Sequence, residues 1–177
     1  MCREDLRIIE PSLEYKDELR AFVEESQAVG GAQVAGLGYW KTIADYGEVI
    51  EEIQRTARGD GIPEGWVSAS TYWLVNSAGR ILGTINLRHE LTEHLLTEGG
   101  HVGYSVRPSE RSKGYGTTMC ALVLEKARAL RIERILITCD DDNLASARVI
   151  EKNGGRLEDK RPTADGSVLK RRYWIDL

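Results

Sequence analysis

Hydrophobic residues along the chain follow two different spacings, and their alternation predicts a succession of strands and helices. Apolar side chains recur at three- and four-residue intervals after position 12, over 46–57, after position 116 and after position 143, as on one face of a helix. Runs rich in β-branched and aromatic residues predict strands over 6–9, 66–75, 81–89, 100–106, 134–139, 154–161 and 168–175. The predicted fold is α/β in the order β-α-α-β-β-β-α-β-α-β-β, with helices flanking a mixed, mostly antiparallel sheet of about six to seven strands.

The same periodicity predicts which side chains of the last two long helices face the core. In the helix after position 116, the shared face carries Met119, Leu122, Val123, Ala127 and Leu130. In the helix after position 143, it carries Leu144, Ala147, Val149 and Ile150. Gly154 and Gly155 predict the end of that second helix, since glycine commonly follows a helix C-terminus.

Length, charge and cysteine content narrow the class of protein further. The 177 residues can bury a self-sufficient core, so we expect residues 1–177 to form a single domain. The net charge of -4 argues against a nucleic-acid partner, and no apolar run reaches the ~20 residues that a membrane span requires. The widely spaced Cys2, Cys120 and Cys139, with a charged N-terminus, predict a reducing cytoplasm without disulfides or a structural metal.

A glycine-rich turn, RSKGYG at 111–116, lies between a predicted strand and a predicted helix. The first turn of a helix offers unpaired backbone N–H groups and a partial positive charge to an anion. Gly114 and Gly116 allow positive φ angles and close approach of the backbone to a ligand. Arg111 and Lys113 add charge and Thr117 adds a hydroxyl, so the turn predicts a site for a phosphate or a diphosphate.

Two common phosphate-binding turns do not fit this stretch, and a third pattern does. The P-loop needs G-x-x-x-x-G-K-[ST], and the dinucleotide-binding turn needs a third glycine where this chain has Met119. The remaining pattern is [R/Q]-x-x-G-x-G, preceded here by HVGYSVRP and followed by RILITC and then by DNLASARVIEKNGG. Together these stretches resemble the GNAT superfamily of acyl-CoA N-acyltransferases over about residues 81–161.

The resemblance implies acetyl-CoA as cosubstrate and no metal. In that family the fourth and fifth strands splay apart, and the pantetheine arm lies between them, paired with backbone groups of the fourth strand. Carried over by position, the residues that would contact the cofactor are Tyr104, Val106, Arg111, Ser112, Lys113, Gly114, Tyr115, Gly116, Thr117, Asn143 and Ser146. For Asn143, capping of a helix N-terminus is an equal alternative, and one side chain can serve both roles.

The implied reaction is direct attack of an amine on the thioester, which needs a group that accepts the amine proton. Two side chains common in the family are absent: Ile150 stands where many members have a tyrosine acid, and Gly100 stands near the place of a fourth-strand glutamate. His101 is therefore the first candidate for the base, because imidazole titrates nearest neutral pH, and Glu90 is the second. Tyr104 is a candidate for positioning substrate or donating to the thiolate, with core packing as its alternative.

The sequence thus predicts a cytoplasmic N-acetyltransferase that acts on a primary amine of a small molecule, a peptide or a protein. We expect the acceptor to bind between the glycine-rich loop before Trp40 and the segment 88–100. A CoA-binding regulatory module without catalysis is the alternative, because Ile150 removes one expected catalytic side chain. A homodimer contact through Tyr173 or Trp174 is left open.

Overall fold

The computed structural model describes residues 6–30, 34–37 and 44–177. The strands are β1 (Arg7–Ile9), β2 (Ala69–Val75), β3 (Ile81–Arg88), β4 (Val102–Val106), β5 (Arg134–Asp140), β6 (Arg156–Pro162) and β7 (Leu169–Asp176). The α-helices are α1 (Lys16–Ala28), α2 (Tyr46–Arg58), α3 (Glu93–Thr97), α4 (Tyr115–Ala129) and α5 (Leu144–Lys152). Two short 3-10 helices, Leu13–Tyr15 and Pro108–Glu110, precede α1 and follow β4. The predicted order of elements is confirmed, and α3 is a short addition between β3 and β4.

The described strands form two sheets, and neighbouring strands within each sheet run antiparallel. The first sheet has the order β1-β2-β3-β4 and the second has the order β5-β7-β6. The α/β fold with a mostly antiparallel sheet, predicted from the sequence, is confirmed in this divided form. The division falls between β4 and β5, the two strands that the sequence predicts to splay.

Helices cover both faces of the four-stranded sheet. On one face α1 and α2 pack through Phe22 and Ile50 against Trp73, which is 1% exposed. On the other face α4 packs through Met119 and Val123, in a cluster that continues into the second sheet. Adjacent residues of β2 point to opposite clusters, as the pleat of a strand requires. Burial of these apolar surfaces holds the two sheets and their helices together.

Most of the predicted helix faces are confirmed, and two positions are wrong. The buried positions are Met119, Val123, Ala127, Ala147 and Ile150. Leu130 is 45% exposed, because α4 ends at Ala129 and Leu130 lies at its C-cap. Leu144 is 51% exposed, because it is the first residue of α5 and lies beyond the helix's buried face. Both errors fall at helix ends, where the periodicity no longer decides burial.

Candidate active site

β4 and β5 diverge and leave a gap between the two sheets. Their backbones meet at an isolated bridge between Gly100 and Ile137, where His101 donates its backbone N–H to the oxygen of Leu136 at 2.7 Å. Beyond this point β4 continues in the first sheet and β5 in the second. The predicted splaying of the fourth and fifth strands is confirmed.

The ladder between β3 and β4 determines which backbone groups of β4 face the gap. Arg107 donates its backbone N–H to Leu82 O at 2.9 Å, and the register from there back along β4 is regular. Backbone groups of an antiparallel strand point alternately to its two sides. The N–H and C=O of Tyr104 and Val106 therefore point away from β3 and toward the gap, as an extended amide chain lying there would require.

The loop before α4 has the backbone conformation of an anion-binding turn. Ser112 and Gly114 have φ angles of 64° and 88°, and α4 begins directly afterwards at Tyr115. A Cβ added at Gly114 would meet nothing within 4 Å, so the backbone is open on that side. The side chains of Arg111 and Lys113 are exposed beside it. We call the 111–116 turn and the helix start that follows it the open cradle. Its exposed backbone and the unpaired N–H groups of the helix start fit a diphosphate.

Gly116 places the start of α4 directly against β4. It is buried, and a Cβ there would lie 3.4 Å from Val149, 3.5 Å from Tyr104 and 3.7 Å from Val106. The open cradle and the gap-facing part of β4 are thus neighbours. One extended ligand could occupy both.

A cavity of about 610 Å³ lies on the other face of β4. Loop residues 34–36, α2, residues 65–67, α3 and the end of segment 88–100 enclose it, and Thr71, Asn86 and Gly103 form its floor. Asn86 donates from Nδ2 to Thr71 Oγ1 at 3.0 Å, which fixes the floor. The two segments that the sequence predicts for the acceptor therefore line one cavity, although residues 31–33 and 38–43 lie outside the described residues.

The loop over the cavity is attached to the sheet by two hydrogen bonds. Ala35 donates its N–H to Ser105 Oγ at 3.0 Å, and its carbonyl accepts from Thr84 Oγ1 at 3.0 Å. Gly103 thus lines the cavity and Ser105 bonds to the loop over it, while Tyr104 between them faces α4. The cavity lies on one face of β4, and α4, which begins directly after Gly114, lies on the other.

Charged and aromatic side chains line the walls of the cavity. Glu52 comes from α2, and His94 and Glu98 come from α3 and the residue after it. Arg88 donates from one guanidinium nitrogen to Gly99 O at 3.2 Å. Trp66, which is 53% exposed, also lines the cavity. The cavity therefore combines carboxylates with apolar surface, a combination suited to an amine on an apolar body.

Comparison with known families agrees with this geometry. A family model described as an acetyltransferase (GNAT) domain matches residues 11–156. The chain belongs to the GNAT acetyltransferase family. The protein is accordingly an acetyltransferase that uses acetyl-CoA as cosubstrate. No curated protein sequence matches the chain.

Solved GNAT structures share the fold at low sequence identity. The microcin C7 self-immunity acetyltransferase MccE, in complex with acetyl-CoA and AMP, is 18% identical, with a TM-score of 0.71 over 99% of this chain and 94% of its own. RimL, a ribosomal L7/L12 α-N-protein acetyltransferase in complex with coenzyme A, is 20% identical, with a TM-score of 0.69 over 97% and 94%. A structure from Vibrio cholerae, described as that of a proposed ribosomal-protein-serine acetyltransferase, is 15% identical. Its TM-score is 0.68 over 100% of this chain and 96% of its own.

A hydrogen bond between the side chains of Tyr104 and Ser146 links β4 to α5 in this GNAT protein. The Tyr104 hydroxyl lies 2.8 Å from Ser146 Oγ, and α5 carries Ser146. Burial, opposed by the bond to Ser146, raises the pKa of Tyr104 to about 12, so the phenol keeps its proton at neutral pH. Asn143 caps α5, since its Oδ1 accepts the Ser146 N–H at 3.0 Å. The capping role is present, and contact of Asn143 and Ser146 with the cofactor stays a prediction.

His101 lies at the closed end of the gap. It is 6% exposed, its Nδ1 accepts the Leu136 N–H at 2.9 Å, and its ring meets Trp174 edge to face at 6.5 Å. Burial, helped by the charge of Arg88, lowers the pKa of His101 to about 4. The imidazole is therefore neutral at pH 7, with Nδ1 occupied. Its role as base stays a prediction.

The other positions singled out in the sequence lie elsewhere. Glu90 is exposed in the turn after β3 and is not among the described residues that line the cavity. Ile150 is buried in the core. A Cβ at Gly100 would lie 2.5 Å from Leu136 O, which gives a steric reason why a glutamate is absent there. A base role for Glu90 stays a prediction.

A metal site and a membrane-spanning helix are both absent from the residues that the structure describes. Across 6–30, 34–37 and 44–177, no group of three or more His, Cys, Asp or Glu side chains could hold a metal ion. Within the same ranges, no helix is both long enough and apolar enough to cross a membrane.

Sequence reasoning missed the floor and one wall of the cavity. By its position in the sequence Asn86 resembles an ordinary strand residue, and Glu52 resembles part of the wet face of α2. Neither has a local motif, because their shared location depends on how α2 packs over β2 and β3. The glycine at 103, inside an otherwise apolar strand, is the one local signal that a ligand can come close to the backbone there.

Proposed function

We propose that the protein is an N-acetyltransferase that moves the acetyl group of acetyl-CoA to a primary amine by direct attack on the thioester. The supporting observation is that two spaces share one strand. The gap borders the free edge of β4 at Tyr104 and Val106, and the cavity reaches β4 at Gly103. A thioester in the gap and an amine in the cavity would meet at this strand.

The acceptor amine must lose a proton before it attacks. An alkyl amine with a pKa near 10.4 is neutral to only about one part in two thousand at pH 7, so a nearby base raises the rate. His101 is the first candidate because its ring is neutral at the closed end of the gap, and Glu90 is the second. Since Nδ1 accepts the Leu136 N–H and the ring proton is then on Nε2, His101 can take the amine proton only if that hydrogen bond to Leu136 breaks. A β4 backbone N–H would stabilise the oxygen that becomes negative.

Departure of the thiolate needs a proton at the end of the reaction. Tyr104 is protonated at neutral pH and shares a hydrogen bond with Ser146 at the gap. Its hydroxyl can donate that proton and regain one from solvent. A thiol with a pKa of ~8.5 is a tolerable leaving group, so the contribution of Tyr104 is expected to be modest.

The acceptor is proposed as a primary amine of a small molecule, a peptide or a protein. MccE and RimL, which share the fold, are described as a self-immunity acetyltransferase and an α-N-protein acetyltransferase. A small amine is supported by the cavity of about 610 Å³, whose walls carry Glu52 and Glu98, and a protein N-terminus is supported by the description of RimL. We further propose one domain over residues 1–177 and a cytoplasmic location. A homodimer contact through Trp174 stays a prediction, whereas Tyr173 is 1% exposed and packs in the core, so it is not available for such a contact.

The test measures thiol release from acetyl-CoA with a panel of primary amines that includes polyamines, aromatic amines and peptides with free N-termini. We expect release with at least one amine and an amide product identified by mass spectrometry. Thermal melts with and without acetyl-CoA provide the binding control. Binding of acetyl-CoA without turnover on any amine would favour the regulatory module, and an ester product would exclude amine transfer.

A further inference from the structure

A buried cation follows β4 directly. Arg107 is 4% exposed and lies between the last residue of β4 and the 3-10 turn that leads into the open cradle. Its Nε donates to Glu25 at 2.7 Å, and one terminal nitrogen donates to Glu18 and to Ile81 O, each at 2.9 Å. Both carboxylates come from α1, on one face of that helix.

Glu25 makes a second contact that Glu18 does not make. While Oε2 accepts from Arg107, Oε1 accepts the backbone N–H of Ser109 at 2.7 Å. Ser109 is two residues before Arg111, the first residue of the glycine-rich turn. One carboxylate therefore fixes both the residue that ends β4 and the backbone that enters the cradle.

The rest of the entry to the cradle is held by charges as well. Arg80 donates to Ser109 Oγ at 3.0 Å and lies 3.5 Å from Glu110, which also pairs with Lys113 at 2.8 Å. Glu25 lies 3.7 Å from the same Arg80. The contacts form a continuous chain from α1 to the turn.

Docking of α1 does not explain these contacts. Leu19, Phe22 and Val23 are already buried against the sheet, so apolar packing fixes the helix. A buried ion pair gives little net stability compared with apolar residues of similar size, because the charges must be desolvated. The geometry it imposes on the neighbouring backbone is the remaining explanation for its presence.

We propose that Glu25 is a positioning residue for acetyl-CoA: through Ser109 and Arg107 it holds the 111–116 turn in the conformation that receives the diphosphate. The inference rests on the proposed function and adds to it a residue outside the expected cofactor contacts. Partial burial works to raise the pKa of Glu25, but the hydrogen bonds from Arg107 and Ser109 outweigh it and lower the pKa to about 2. The carboxylate is therefore charged at any pH used for assay.

The test compares two acyl donors in Glu25→Gln, which keeps the shape of the side chain and removes its charge. Acetyl-CoA carries the diphosphate and the adenosine attached to it, whereas acetyl-pantetheine has the same thioester and arm without either. We expect kcat/KM for acetyl-CoA to fall about tenfold, chiefly through KM, since a hydrogen bond to a charged group is weakened. With acetyl-pantetheine, kcat/KM should stay within about twofold of the wild type.

Glu24→Gln is the matched control, because Glu24 is the exposed neighbour of Glu25 on the same helix. It should leave both donors unchanged. An equal loss with both donors in Glu25→Gln would indicate general damage and overturn the inference, and so would no loss with either. Failure of the wild type to bind acetyl-CoA would instead overturn the proposed function itself.

Discussion

Gly100 provides the sharpest test of where β4 and β5 part. Its φ of 61° lies in the left-handed region, and a Cβ would lie 2.5 Å from Leu136 O and 3.0 Å from Leu136 C. Real Cβ atoms do not approach backbone so closely, so Gly100→Ala must push the two strands apart. The hydrogen bond from the His101 N–H to Leu136 O, 2.7 Å long, would be the first to break.

Two costs contribute to the expected loss of stability. A left-handed conformation costs a non-glycine residue about 1–2 kcal/mol. Loss of a buried backbone hydrogen bond adds about 1 kcal/mol, and up to about 3 kcal/mol if the groups stay unsatisfied. We therefore expect Gly100→Ala to lower the free energy of unfolding by about 2–5 kcal/mol.

Urea denaturation followed by tryptophan fluorescence measures this free energy, and Gly154→Ala separates the two costs. Gly154 has a φ of 88°, but a Cβ there would meet nothing within 4 Å. Its substitution should cost only the conformational part, about 1–2 kcal/mol. If Gly100→Ala destabilises the protein no more than Gly154→Ala, then β4 and β5 do not approach each other at this bridge.

Three further substitutions test the site. Gly114→Asp should weaken acetyl-CoA binding at least about tenfold in calorimetry, since a carboxylate ~4 Å from a phosphate is repelled by about 1–4 kcal/mol. Gly154→Asp, at a position with the same φ, is the control for backbone strain. His101→Ala should reduce kcat more than acetyl-CoA affinity, with the deficit narrowing as pH rises. The imidazole gains its proton only near pH 4, so the limb of the wild-type pH–rate profile that belongs to His101 should lie there, below the limb set by the amine itself. A limb near pH 6.5 that does not move when the amine is changed would assign the base elsewhere. Gly103→Val should fold normally, because a Cβ there meets nothing within 4 Å, yet raise the KM for the amine; an unchanged amine KM would separate the cavity from the acceptor.

The periodic parts of the fold were predictable from the sequence for a simple reason. Each helix and strand buries a face whose residues recur at the period of that element, as Phe22 on α1 and Met119 on α4 show. The turn before α4 was predictable because its glycines must adopt conformations that few other residues tolerate, and Gly114 does so with a φ of 88°. The positive φ of Ser112 could not be predicted, since serine has no such preference.

The environment of individual polar groups was not predictable. His101 is a candidate base because of the ordinary pKa of imidazole, but its Nδ1 accepts an N–H from Leu136, 35 positions along the chain. Arg107 and Glu25 are 82 positions apart and meet only because α1 packs beside the end of β4. Sequence spacing carries no record of such contacts, so titration and pairing follow from tertiary structure alone.

The proposed donor site and the proposed acceptor site lie on different sides of β4 and are built from different kinds of residues. This difference explains why the donor could be predicted from the sequence and the acceptor could not. Backbone groups of Tyr104 and Val106 face the gap whatever their side chains are, and the cradle is built from a contiguous turn, so a short motif specifies the acetyl-CoA side. The proposed acceptor cavity is lined by a loop, two helices and strand residues that lie far apart in sequence, among them Gly103 of β4. A chain can therefore change loop 34–36, α2 or α3 and so exchange one amine for another while it keeps its donor. The proposed amine acceptor must accordingly be sought in the chemistry of those walls, because the 111–116 motif does not contribute to them.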